Sequence, residues 1–81
     1  MQLSKNDINH IYSLVESSMG IKLSAKGKSK LKPDITLRIG ICQGDKERLF
    51  KYFENYDNEL RKIYSAWDSY DRAAWIYNLT K

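Results

Sequence analysis

Ser4-Lys5-Asn6-Asp7-Ile8-Asn9-His10-Ile11-Tyr12-Ser13-Leu14-Val15-Glu16-Ser17-Ser18-Met19-Gly20 is the stretch from which the fold class of this 81-residue chain is read. Ile8, Ile11, Tyr12, Val15 and Met19 recur at helical spacing, and Leu14 widens the apolar stripe. Ser4 suits the N-cap, Asp7 stands three positions into the helix where its charge favours the positive end, and Leu3 and Ile8 are spaced as a hydrophobic staple. Gly20 stops the helix, because glycine accepts the left-handed conformation that closes the last turn. Ile21 follows as the apolar contact beyond it.

Working outward, residues 21–32 leave two readings open. Ser24 can cap a short helix through Lys26, Ser29 and Leu31, which Gly27 weakens. Lys32 precedes Pro33 and is therefore biased toward an extended conformation, and Pro33 suits the first position of a new helix. Ile35, Leu37, Ile39 and Ile41 alternate at period two, so a short strand competes with a helix over 33–41. Helix is preferred, because an isolated strand has no partner elsewhere in the chain. Gln43-Gly44 is a break, and Asp45 is a plausible N-cap. Leu49, Phe50, Phe53 and Tyr56 form the apolar face of a third helix ending near Asn55. A fourth starts at Asp57 or Asn58, and Leu60, Ile63, Tyr64, Trp67, Tyr70, Ala74 and Tyr77 then keep a spacing of three or four. That pattern allows one long helix to about Leu79, with a break near Asp68-Ser69 as the alternative. The expected fold is all-α: one small irregular bundle of four or five helices over residues 1–81.

The length bounds the core. A chain of this size buries roughly 60–65% of the surface its unfolded form exposes, which leaves a marginal core. With 42% hydrophobic and 30% charged residues the balance is globular rather than disordered. Cys42 is the only cysteine, so no disulfide forms within the chain, which favours a reducing, cytoplasmic setting. Met-Gln-Leu-Ser-Lys-Asn-Asp has no apolar core behind it and does not read as a signal peptide. No apolar run approaches the roughly 20 residues that span a bilayer.

The net charge of +4 is unevenly distributed along the sequence. Lys22, Lys26, Lys28, Lys30 and Lys32 fall in a segment without an acid, and such a run attracts nucleic acid, acidic protein surfaces or anionic lipid. It is equally compatible with a solvated surface. The absence of arginine from the run argues against base reading, since bidentate guanine contacts favour arginine. The aromatics are skewed to the other end: only Tyr12 lies outside Phe50–Tyr77. Tyrosine and tryptophan keep one polar end wet and are enriched at interfaces, yet they also build small cores. On one long final helix Trp67 and Trp75 would be about 80° apart around the axis, so they cannot both sit in the centre of one narrow stripe. A division into one core and one surface residue is open. Base stacking would need aromatics beside the lysines, and the sequence separates them.

No catalytic or metal constellation is legible. His10 and Cys42 are single and lie in different elements, whereas a structural zinc needs about four ligands and a nucleophile needs a base and an orienting group. The glycine turns match neither a phosphate loop nor a dinucleotide fingerprint. Asp45/Glu47 and Asp57/Glu59 read as helix-start charges. The expectation is a chain that is not an enzyme and carries no cofactor.

Gly20-Ile21-Lys22-Leu23-Ser24, Arg38, Leu49-Phe50-Lys51-Tyr52-Phe53 and Glu59-Leu60 resemble, in order, the small helical N-terminal domain of chemotaxis receptor methyltransferases, from Ile8 to about Ala66. Asp34 stands where that family has its first arginine, Pro33 falls within its basic helix, and these 81 residues hold no methyltransferase domain. The resemblance implies a receptor- or protein-binding module whose basic helix addresses an acidic helical substrate. Asp57-Asn58-Glu59-Leu60 with Tyr64-Ser65-Ala66 and Asp68 is similar to a stretch of the Hha-type modulators, small helical proteins that dock on a nucleoid protein. Both resemblances imply a helical adaptor, small regulator or inhibitor acting through another protein. The expected partner is a protein with an acidic surface, met by Lys22, Lys26, Lys28, Lys30, Lys32, Arg38, Trp67, Tyr70 and Trp75. The alternative is nucleic acid held by the lysines on its phosphates, and no membrane partner is expected.

Overall fold

Five α-helices carry the chain in a computed structural model describing residues 3–64 and 66–81: α1 (Lys5–Met19), α2 (Ala25–Cys42), α3 (Lys46–Glu54), α4 (Tyr56–Ile63) and α5 (Ser69–Thr80). Met1, Gln2 and Ser65 lie outside the described residues, and with them the first residues of the leader reading and the middle of the Tyr64-Ser65-Ala66 match. Among the described residues there is no strand, so the fold is all-α.

The sequence signals at the start of α1 act as expected. The Ser4 hydroxyl accepts from the Asp7 amide at 3.1 Å, and the Asp7 carboxylate accepts from the Ser4 amide at 3.0 Å. Gly20 closes the helix with φ 66°. The connection to α2 is then tied back by the Glu16 carboxylate, which accepts from the Leu23 amide at 2.8 Å. Ile11, Tyr12, Val15 and Met19 turn inward, as the periodicity requires.

α2 corrects the reading of the middle of the chain. Ser24 is the N-cap, accepting from the Gly27 amide at 2.9 Å, and the helix runs unbroken through Pro33. Lys32 is therefore helical rather than extended, Pro33 is interior rather than first, and the strand alternative falls. An interior proline costs about 3 kcal/mol. Pro33 stands on the exposed side, while Leu31 and Ile35 are buried on the opposite side. Each of those side chains returns about 1.5–3 kcal/mol on burial, so tertiary packing outweighs the local preference. Period two on a helix also explains the apolar spread: Ile35 and Ile39 share one flank, Leu37 and Ile41 the other.

Asp45 caps α3 by accepting from the Arg48 amide at 3.1 Å, and Leu49, Tyr52 and Phe53 fill the core. Phe50 is half-buried and meets the His10 ring edge-on at 4.8 Å, rather than joining the buried face. α4 begins at Tyr56, one residue before the expected start. Its first turn is tied to the end of α1 by the Ser18 hydroxyl, which accepts from the Asp57 amide at 3.2 Å. The single long final helix does not form; the break at Asp68-Ser69 does. Asp68 caps α5 in a second capping box with Asp71. Arg72 Nε donates to both oxygens of Asp57 at 3.1 Å, a pair that one continuous helix would hold about 22 Å apart.

The packing puts α1, α3 and α4 together, and α5 on α2, with α2 also touching α3. At the α2–α5 seam the Leu79 carbonyl accepts from the Ser24 amide at 3.0 Å, with Leu79 wholly buried. Among the described residues no helix is long and apolar enough to cross a membrane.

Candidate functional site

Residues of α2, α3 and α4 line two connected depressions. The first, a cleft of about 380 Å³, has Pro33, Leu37, Leu60 and Ile63 on its apolar walls. Tyr52, Tyr56, Tyr64, Trp67 and Trp75 supply its aromatic surface, and Lys30, Asp34 and Arg38 its charges. Tyr64 and Trp67 stack with ring centres 5.5 Å apart and planes 24° apart. The second, a furrow of about 700 Å³, is lined by Arg38, Arg48, Lys51, Arg61 and Lys62, with Glu59 as its acid. Arg38 and Tyr52 line both, so the depressions meet at that pair. There the Arg38 guanidinium lies 4.0 Å from the centre of the Tyr52 ring, with Nε 3.8 Å from an Asp34 oxygen.

Among the described residues, four buried side-chain polar atoms have no hydrogen-bond partner: Arg38 Nε, the Tyr52 hydroxyl, Trp67 Nε1 and Trp75 Nε1. All four belong to residues that line the cleft. A buried donor left unpaired costs about 1–3 kcal/mol, so their grouping is a local energetic weakness. Burial pushes the Asp34 carboxyl up from its ordinary value, against the opposing influence of the Tyr56 hydroxyl and Arg38. Burial, with the Asp34 charge behind it, pushes Tyr52 up to about 12 and Tyr56 upward as well. Tyr52 and Tyr56 therefore stay neutral at any physiological pH.

The residues expected from sequence divide. Lys30, Arg38, Trp67 and Trp75 come together at the cleft. Lys22 stays exposed in the α1–α2 connection. On α2, successive steps of two residues turn the chain by about 200°, so Lys26 and Lys30 share one side, Lys28 and Lys32 another. Lys28 lies 5.5 Å from the Tyr12 ring centre, away from the cleft. The lysine run is thus divided between two sides of α2 and the connection before it. Tyr70 is 80% exposed and does not line the cleft. Trp67 and Trp75 do not divide into core and surface, since both are half-buried against the core at the cleft wall.

Arg48, Lys51, Arg61 and Lys62 were not legible as a site, because they sit on two helices separated by the Asn55 break. The local signals were only the pairs Arg48/Lys51 and Arg61/Lys62 on the polar sides of their helices. In space, the cleft and furrow gather six bases against Asp34 and Glu59. The other eight bases and eight acids of the chain cancel, so the whole surplus of +4 resides here. Lys62 pairs with Glu59 at 3.4 Å, and Arg61 reaches Asp57 at 3.9 Å. Among the described residues Arg48 and Lys51 form no ion pair and are exposed. No group of three His, Cys, Asp or Glu side chains among the described residues is placed to hold a metal ion.

No protein-family model, curated protein or solved structure matches the chain.

Proposed function

We propose that this chain is a helical protein-interaction module, an adaptor or small inhibitor, that binds an acidic partner protein through the furrow between α2, α3 and α4. The observation that carries the reading is the convergence of Arg38, Arg48, Lys51, Arg61 and Lys62 on one depression with a single acid. Arginine favours this role, because its planar fork pairs bidentately with carboxylates and is weakly hydrated. Exposed apolar side chains beside the furrow suit a protein partner, whose interface core is apolar and whose rim is polar.

A second reading, single-stranded nucleic acid, is favoured by one specific arrangement: the furrow opens through Arg38 onto the aromatic cleft. Cations tracking a backbone beside rings that stack bases form the general pattern of single-strand binding. The sequence argument against nucleic acid, that cations and aromatics are apart, loses its force at this point of the surface.

The test is affinity capture from cytoplasm with and without nuclease, using the wild-type chain and the double variant Arg48→Gln/Lys51→Gln. A protein retained after nuclease by the wild type and released from the variant is the expected result. Retention that nuclease abolishes transfers the role to the second reading. Capture indifferent to the two substitutions overturns the furrow as the site.

A further inference from the structure

We propose that the cleft and the furrow together seat an amphipathic helix of the acidic partner, with one large apolar side chain in the cleft and carboxylates along the furrow. This rests on the reading of the furrow as a protein site and adds the chemistry and shape of what fills it. Leu37 and Ile41, one turn apart on α2, are 58% and 44% exposed, and Ile63 and Tyr64 at the end of α4 are 45% and 53% exposed. Leu37, Ile63 and Tyr64 border the cleft and Ile41 the furrow, so these side chains form one strip rather than scattered surface residues. An apolar strip rimmed by cations is covered by the complementary pattern: apolar side chains three and four apart on one face of a helix, with acids beside them.

The charged groups at the cleft decide the sign of the occupant. The aromatic rings around Asp34 by themselves would suit an organic cation. Lys30 and Arg38 at the same cleft oppose that cation and favour an acidic occupant. A cleft of about 380 Å³ admits one large side chain, and the branched walls of Leu37, Leu60 and Ile63 suit it better than a run of stacked bases.

The probe is a synthetic helical peptide with Leu, Trp and Leu at positions i, i+4 and i+7 and glutamates on both flanks. It is compared with a twin carrying lysine in place of each glutamate and with single-stranded oligothymidylate. Binding is followed by ¹H–¹⁵N spectra of the full chain, in which the two indole N–H signals report the cleft directly. The glutamate peptide is expected to move both indole signals and the amides of Leu37, Ile41 and Ile63, while the lysine twin does not bind. Leu37→Asp and Ile63→Asp, both at exposed positions and checked by circular dichroism for an intact fold, each weaken the glutamate peptide about tenfold or more. Equal binding of both peptides, binding of neither, or shifts confined to other surfaces overturns the proposal, as does oligothymidylate binding more tightly than the peptide. If Arg48→Gln/Lys51→Gln abolishes peptide binding while Leu37→Asp leaves it unchanged, the cleft inference falls and the furrow reading stands.

Discussion

The Leu79 carbonyl lies against the Cα of Gly27, so close that no side chain fits between α5 and the first turns of α2. A methyl group there would overlap backbone atoms, which cannot swing aside as a flexible side chain would. Gly27→Ala is therefore expected to destabilise the fold by about 2 kcal/mol or more despite alanine's better helix propensity. In a domain of this size that lowers Tm by roughly 8–16 °C. Gly40 is the control. It is on the same helix with open space around it, and Gly40→Ala should stabilise by about 0.5–1 kcal/mol. Thermal unfolding of both variants checks the pair; equal effects would mean that the seam is not tight.

Tyr52 should separate stability from binding. Its hydroxyl is buried without a partner, and Tyr52→Phe removes that group while keeping the ring under Arg38. Denaturant unfolding should show the variant as stable as the wild type or more so, by up to about 1 kcal/mol. Binding of the acidic partner should weaken in the same variant. A clear loss of stability would mean that the hydroxyl has a partner after all.

Asp34 sets a dependence on pH. Below the ordinary carboxyl value of 3.8 both folded and unfolded chains hold the proton, and the group makes no difference. Burial raises the folded value, so as pH climbs above 3.8 the unfolded chain ionises first. The folded state then binds more protons, and stability falls with rising pH until the folded value is passed. Asp34→Asn removes this fall. Unfolding measured between pH 3 and pH 7 should therefore show the variant gaining on the wild type as pH rises. A gap that closes instead would show the Arg38 ion pair to outweigh burial.

Charge in space and charge in sequence make opposite forecasts for the lysines. Lys26→Gln/Lys28→Gln/Lys32→Gln removes three charges from the most basic stretch but none from the cleft or furrow. Partner affinity should change by less than about threefold, the scale of peripheral charges. Arg48→Gln/Lys51→Gln removes two and should cost tenfold or more and flatten the salt dependence. Titrations at two ionic strengths compare them directly.

What the sequence could show depended on how far each signal reaches. Caps act over three residues, and Ser4, Ser24, Asp45 and Asp68 all cap the helices that follow them. Pro33 misled because its local preference was outweighed by the burial of Leu31 and Ile35, which depends on α2's packing against other helices. The long final helix was suggested by continuous spacing, whereas the Asp57–Arg72 pair requires the chain to fold back. The site was hardest to see. Trp67 and Trp75 stood out by residue type, but Arg48, Lys51, Arg61 and Lys62 acquire meaning only when α3 and α4 pack beside α2.

The fold-back at Asp57–Arg72 also bears on how the molecule breathes. α5 packs chiefly on α2, and its wholly buried anchor, Leu79, is in the last turn, with Tyr70 and Tyr77 facing solvent. Its amides should therefore exchange with deuterium through an opening that leaves α1, α3 and α4 protected. Trp75 leaves the cleft in that opening. A ligand that contacts Trp75 must then slow exchange across α5, even at amides it never touches, by the free energy with which it favours the closed form.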